Sequence, residues 1–425
     1  MRIMKPDLTL NRRTVIASSL LGSAALLLGT TGRAAAAARP VGAAGATASG
    51  VDLTLPAPTG PHPVGRHELY LVDASRRDPW SAKIPVRELM LTLYYPAREA
   101  GAQAAPQLPP LAVPLFAQLA PLGEPGLPSS GVDWAATASH SFLDAPVLPG
   151  RWPVFLHSPG GGDPRGLGTT LAEELASHGA VVVSVDHPGD AAAVQFPGTT
   201  PFRPEPVRAT VFRGDPRAQP AQFRTMIDTR IADLRFVLDQ LSVLDQLSVL
   251  DRLSVLDRLG DAASLRLPEG LAAAMDLRRV GAYGHSAGGS AVTEVLHDDR
   301  RVRVAVNLEG FLDYADGPLF PVAAEGTDRP LLLLGTDGCT FRAALDVSWS
   351  AVVAHSGRAV RRAQLADANH YVFTDYAAMV PQLQADGLVP AAGRAGLVGT
   401  VAPEVSVPEV RRAVRAFLSH HVAAR

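Results

Sequence analysis

The chain has 425 residues, 47% of them hydrophobic, and a formal net charge of −2 at pH 7. That is enough apolar material for one large core, and so even a charge balance gives no global field to recruit nucleic acid or an anionic membrane. A single cysteine, Cys339, excludes an intrachain disulfide and a cysteine metal cluster; beside an apolar strand it reads as a packing residue.

The first predicted element is a targeting segment. Arg12-Arg13 precede an apolar run from Val15 to about Gly29, and small residues from Ala34 to Ala38 follow. This is the layout of a twin-arginine signal peptide over residues 1–38. The run is shorter than the ~20 residues that span a bilayer, so the mature protein is expected to be secreted or periplasmic, without a stable membrane span. Residues 39–55, rich in Ala and Gly, read as a flexible linker, and 56–425 as one domain.

Within that domain, Gly65–Asp73 and Arg87–Pro96 alternate apolar and polar side chains, which predicts two antiparallel strands at the edge of a sheet. Prolines in 100–145 forbid a long regular helix there; the segment is either a cap or lip, or an irregular surface excursion. Trp152–His157 reads as a buried strand, Thr169–His178 as a helix ended by Gly179, and Ala180–Val185 as a β-branched strand covered on both faces. Further strands are expected at Val280–Tyr283, Arg303–Leu308, Pro330–Leu334 and Arg362–Leu365, with a closing amphipathic helix over Val407–His420. Strands alternating with helices in this way argue for a doubly wound α/β fold with a mostly parallel central sheet, helices on both faces and antiparallel N-terminal strands.

One segment, 237–260, repeats with a period of six from Val237. Six helical residues turn through about 600°, so the apolar triplet cannot hold one face. The repeat reads as a duplication that lengthens a helix into solvent or a partner; self-association through it is left open.

The chemistry centres on Gly284-His285-Ser286-Ala287-Gly288, a Gly-x-Ser-x-Gly motif between a predicted strand and a predicted helix. That context makes it a nucleophile elbow, a sharp turn that lifts the Ser286 hydroxyl above the sheet. Serine needs a base, and the chain order Ser, acid, His selects His370, in a loop past the last strand. Two carboxylates end the intervening strands, Glu309 and Asp337; position alone leans to Asp337. An oxyanion hole needs two backbone N–H groups: one belongs to Ala287, the other to the loop Ser158–Gly162. His187 and Asp190 could suggest a metal site, but two ligands without a third favour loop hydrogen bonding.

The chain resembles the platelet-activating factor acetylhydrolase family, in its bacterial secreted lipase-like branch, within the α/β-hydrolase superfamily. The resemblance rests on Asp73 with Arg76, Asp78-Pro79-Trp80, Arg87-Glu88-Leu89, Ser177-His178-Gly179, Asp186-His187-Pro188-Gly189, Arg230 with Asp233, the Gly284–Gly289 elbow and His370-Tyr371-Val372-Phe373-Thr374-Asp375-Tyr376. It implies the α/β-hydrolase fold, and it places the acid at Glu309, where the family usually has aspartate. It also places the second oxyanion donor at Gly161. The implied activity is cofactor-free hydrolysis of a small-molecule or lipid ester through Ser286, His370 and Glu309. The same machinery could instead serve a polyester or cutin hydrolase or an envelope acyltransferase, and a non-catalytic binding protein of this fold is the rival of another class.

Overall fold

The computed structural model describes residues 50–251 and 267–423, with the backbone alone over 245–251. The expected signal segment, most of the expected linker and the last copies of the repeat lie outside the described residues.

Ten strands make one sheet. In chain order they are β1 (Val64–Asp73), β2 (Arg87–Pro96), β3 (Ala104–Pro106), β4 (Ala138–Leu143), β5 (Trp152–Ser158), β6 (Val181–Asp186), β7 (Met275–His285), β8 (Val302–Leu308), β9 (Leu331–Thr336) and β10 (Val360–Leu365). Across the sheet they run β10-β9-β8-β7-β5-β6-β2-β1-β4-β3. The six from β10 to β6 are parallel, whereas β2 is antiparallel to both β6 and β1. The principal helices are α1 (Val113–Gly123), α2 (Thr169–Ser177), α3 (Pro220–Asp251), α4 (Ala287–Asp298), α5 (Arg342–Ser356), α6 (Tyr376–Ala385) and α7 (Pro403–Val422).

Side-chain alternation along the parallel strands divides the core in two. Val154, Leu156, Val183, Ala282 and Leu333 pack with α3, α4 and α5 through Leu234, Val237, Ala291, Val295 and Trp349. Their neighbours Phe155, Val182, Tyr283, Leu332 and Leu334 pack with α2 and α7 through Leu171, Leu175, Val410, Val414 and Leu418. This is the α/β-hydrolase fold, with helices on both faces of a mostly parallel sheet.

Three expectations need correction. The strands β1 and β2 are antiparallel but do not form the edge, because β4 and β3 from the 100–145 segment continue the sheet beyond them. That segment also forms α1, whose Phe116 and Ala120 pack with Trp134 and with Met379 and Leu383 of α6, so it is not an irregular excursion. Pro114 begins α1 and Pro121 lies in its last turn, which keeps the helix short. Residues 51–55 of the expected linker are packed: Val51–Asp52 pairs with Val132–Asp133, and Leu53 and Leu55 are buried. The repeat begins inside α3, and its first copy is core, with Val237, Leu238 and Leu241 buried; at the start of the second copy Leu244 is buried and Val243 exposed.

Connectivity fixes where chemistry can occur. From β5 the chain moves outward to β6, then returns to lay β7 on the other side of β5. The loops after β5 and β7 therefore part company at neighbouring strand ends, the crevice that open α/β sheets use for ligands.

Candidate active site

Ser286 stands between β7 and α4 with φ 52° and ψ −122°. A residue with a Cβ in that region is strained, and such strain survives only where neighbours over-determine it. The turn is packed against its surroundings: a Cβ on Gly288 would collide with the Ser158 carbonyl, and one on Gly284 with the backbone of Gly288. Ser286 N donates to Leu308 O at 2.9 Å, which ties the elbow to the end of β8.

At that end lies Glu309, fully buried and also at positive φ, 61°. Asn307 braces the bend, accepting from Gly310 N at 2.6 Å and donating to Gly310 O at 3.1 Å. One Glu309 oxygen accepts from Thr336 N at 2.6 Å and Thr336 Oγ1 at 2.8 Å; the other lies 2.9 Å from His370 Nδ1. Burial by itself would raise this carboxyl, but His370 and the Thr336 donors outweigh it and hold Glu309 below the ordinary range. Because a carboxylate only accepts, His370 Nδ1 carries the proton and Nε2 is left with its lone pair.

His370 opens the short turn His370–Phe373, with its N–H on Asn369 Oδ1 at 2.8 Å. Its ring is 4.5 Å from that of His285, the residue before Ser286, and 4.9 Å from Phe341. His285 Nε2 donates to the His370 carbonyl at 3.1 Å, and its Nδ1 faces Asp163 at 3.4 Å. Desolvation first and His285 second lower the pKa of His370, against the opposing pull of Glu309. At neutral pH the imidazole is therefore neutral and able to accept a proton.

Asp337, the other acid considered, does not reach the imidazole. It is exposed, and its carboxylate accepts the N–H groups of Asp367 at 3.0 Å and Ala368 at 3.2 Å. It steadies the loop that carries His370 and does not bond the ring. Cys339 is buried beside Glu309, as expected of a packing residue, and burial plus the Glu309 charge push its thiol up to about 12. From the 100–145 segment, Glu124 faces Tyr371 beside His370; burial and Asp163 push its carboxyl up to about 9.

Gly161 and Ala287 are neighbours across the crevice: a Cβ built on Gly161 would lie 3.6 Å from that of Ala287. Among the described residues no acceptor takes up either backbone N–H. Pro159, without an N–H, is used through its carbonyl, which accepts from Arg230 Nη1 at 2.6 Å.

His187 and Asp190 belong to separate hydrogen-bonded groups under the site. His187 Nδ1 lies 3.0 Å from Asp233 and its Nε2 3.0 Å from Ser158 Oγ, a second Ser-His-carboxylate array, wholly buried. Asp190 pairs with Arg230 at 2.5 Å. Donor atoms that could share a cation come within 4.8 Å in two clusters among the described residues, Glu309–Cys339–His370 and Glu294–His297–Asp298. In the first, Glu309 is already engaged by His370 and Thr336; in the second, His297 Nδ1 is spent on the Gly326 carbonyl.

Sequence reasoning missed Thr336, His285 and Asp163 at the site. Arg230 and Asp233 entered it only as positions matching the family.

The profile of the family described as "Platelet-activating factor acetylhydrolase, isoform II" matches residues 47–424. A "Probable 1-alkyl-2-acetylglycerophosphocholine esterase" of the fungus Arthroderma benhamiae is 26% identical over 310 residues, 69% of this chain and 68% of the relative. The solved structure of a ferulic acid esterase from Streptomyces cinnamoneus is 30% identical with a TM-score of 0.65, covering 88% of this chain and 94% of that one. The chain thus belongs to the platelet-activating factor acetylhydrolase isoform II family and is an ester hydrolase.

Proposed function

We propose that the protein is an exported serine carboxylesterase in which Ser286 is the nucleophile, His370 the general base and acid, and Glu309 the group that orients and charges the imidazole. The observation that carries this reading is the 2.9 Å bond from His370 Nδ1 to Glu309, which fixes the tautomer whose Nε2 is a base, beside an elbow serine held at positive φ.

In the proposed cycle the Ser286 Oγ–H proton passes to His370 Nε2 as Oγ forms a bond to the ester carbonyl carbon. The carbonyl π pair moves to oxygen, where the N–H groups of Gly161 and Ala287 receive it; each such donor is worth about 10²–10³ in kcat. The tetrahedral centre collapses, the C–O bond to the alcohol breaks, and His370 returns its proton to the leaving oxygen. Water then repeats the sequence on the acyl-enzyme and releases the acid. Glu309 remains ionised throughout and stabilises the transient imidazolium.

For substrate we propose lipid-like or short-chain esters. The two named relatives act, by their names, on an acetylated glycerophosphocholine and on a ferulic acid ester. Phe341 and Tyr371 flank the His370 ring, with Phe311 against Phe341, and suit an apolar acyl group. The twin-arginine leader in the sequence supports export.

Ser286→Ala tests the assignment: turnover of p-nitrophenyl esters and fluorophosphonate labelling should both disappear. Full activity in that variant would overturn it.

A further inference from the structure

We infer that Arg230, with Asp190, is the positioning residue of the oxyanion hole, aiming the Gly161 N–H from beneath the loop. This rests on the assignment of Ser286 and of the Gly161 and Ala287 donors proposed above.

Arg230 is fully buried on α3. Its guanidinium donates to the Pro159 carbonyl at 2.6 Å, the Gly160 carbonyl at 2.8 Å, Ser158 Oγ at 3.2 Å and Asp190 at 2.5 Å. The other Asp190 oxygen accepts from Gly162 N at 2.9 Å.

The consequence follows from peptide geometry. A trans peptide is planar, and its C=O and N–H point in opposite directions; no cis bond occurs among the described residues. Holding the Gly160 carbonyl on Arg230 therefore turns the Gly161 N–H away from the guanidinium, and Ala287 lies beside Gly161 across the crevice. Holding Gly162 N on Asp190 fixes the following peptide plane as well. Both planes that meet at the Gly161 α-carbon are thus set by one buried ion pair. The Gly160 carbonyl also accepts from Asp163 N at 3.1 Å, so the ion pair works with a local turn to hold a residue type that is otherwise the most permissive.

Two further bonds support the clamp. Ser158, held by Arg230, donates in turn to His187 Nε2 at 3.0 Å, and Ala192 N holds the Gly162 carbonyl at 2.7 Å. A lysine at 230 would keep the charge but not the planar fork that meets several carbonyls at once.

The test is Arg230→Lys, with Asp190→Asn as a second variant carrying the same readouts if the first does not fold. Active sites are counted by fluorophosphonate titration, and p-nitrophenyl acetate turnover is expressed per labelled site. The expected result is a fall in kcat of about 10²-fold with KM little changed. Affinity for a trifluoromethyl ketone, whose adduct carries the oxyanion, should weaken in parallel. Unchanged kcat per labelled site together with unchanged ketone affinity would overturn the clamp and leave Arg230 a stabilising residue. If Ser286→Ala retains turnover, the underlying reading fails instead, and the two failures are told apart.

Discussion

Two histidine–carboxylate pairs lie in this molecule, each near a serine, and the lengths of the histidine–carboxylate bonds hardly distinguish them. In one, His370 Nδ1 is 2.9 Å from Glu309; in the other, His187 Nδ1 is 3.0 Å from Asp233 while Nε2 meets Ser158 at 3.0 Å. The differences lie around the bonds. Asp233 also receives Arg87 at 2.7 Å and Arg76 at 2.9 Å, so its charge is already matched. Burial, and then Arg230, push His187 down to about 4, and the residues of this array have no solvent face. Glu309 instead bonds the neutral His370 imidazole, the serine ahead of it is bent to positive φ, and two N–H groups without an acceptor among the described residues stand nearby. A histidine–carboxylate pair beside a serine can therefore be mere scaffolding; what would mark a reactive one is an acid that answers to the imidazole alone, with donors waiting for a charge not yet formed.

The sharpest way to break this contrast is to neutralise each acid. Glu309→Gln should lower kcat by about 10³–10⁴ with an unchanged far-ultraviolet circular dichroism spectrum. Asp233→Asn leaves Arg87 buried with too little counter-charge and should cost about 3–5 kcal/mol of stability in urea unfolding. Its turnover per labelled site should barely change; a larger loss there than in Glu309→Gln would remove the distinction.

The pH dependence refines it. In its proposed role His370 must be neutral, and its pKa is lowered from 6.5, so the acid limb of kcat/KM should fall below that value. Removing the Glu309 charge, which raises His370, should move the limb lower still in Glu309→Gln. A limb above 6.5 in the wild type would contradict this. For His187 the effect is on stability. Its folded pKa of about 4 lies below the ordinary histidine value of 6.5, so the unfolded chain binds more protons between these values. Stability from this group is complete above 6.5 and is lost as pH falls toward 4. The urea midpoint of His187→Gln should consequently depend less steeply on pH across that window.

The smallest effect is expected at Asp337. Asp337→Ala removes the acceptor for two loop amides but no contact with the imidazole, so kcat should fall a few-fold at most in steady-state assays.

Periodicity revealed the parallel strands and the closing helix because these elements are buried on regular faces, and the elbow was legible because Gly284 and Gly288 of one five-residue motif crowd each other directly. Residues 100–145 were harder to read: β3 and β4 are short, and they complete the sheet only through pairings with each other and β1. The acid was ambiguous for a similar reason. Glu309 and Asp337 both end parallel strands, and only the path of the loop carrying His370 decides which one meets the ring. Arg230 could not be assigned from spacing, since its partners lie 40 to 72 residues upstream.

The pairing of β7 with β5 bears on how this chain becomes active. It joins Val280 to Val154, well over a hundred residues apart, and closing such a loop is a slow step in folding. The turn of Ser286, the proposed nucleophile, leans on the end of β5, the proposed acid Glu309 follows β8, and the proposed base His370 arrives after β10. A partly folded chain therefore offers no weakened version of the catalyst, and the first appearance of esterase activity during refolding should report completion of the sheet.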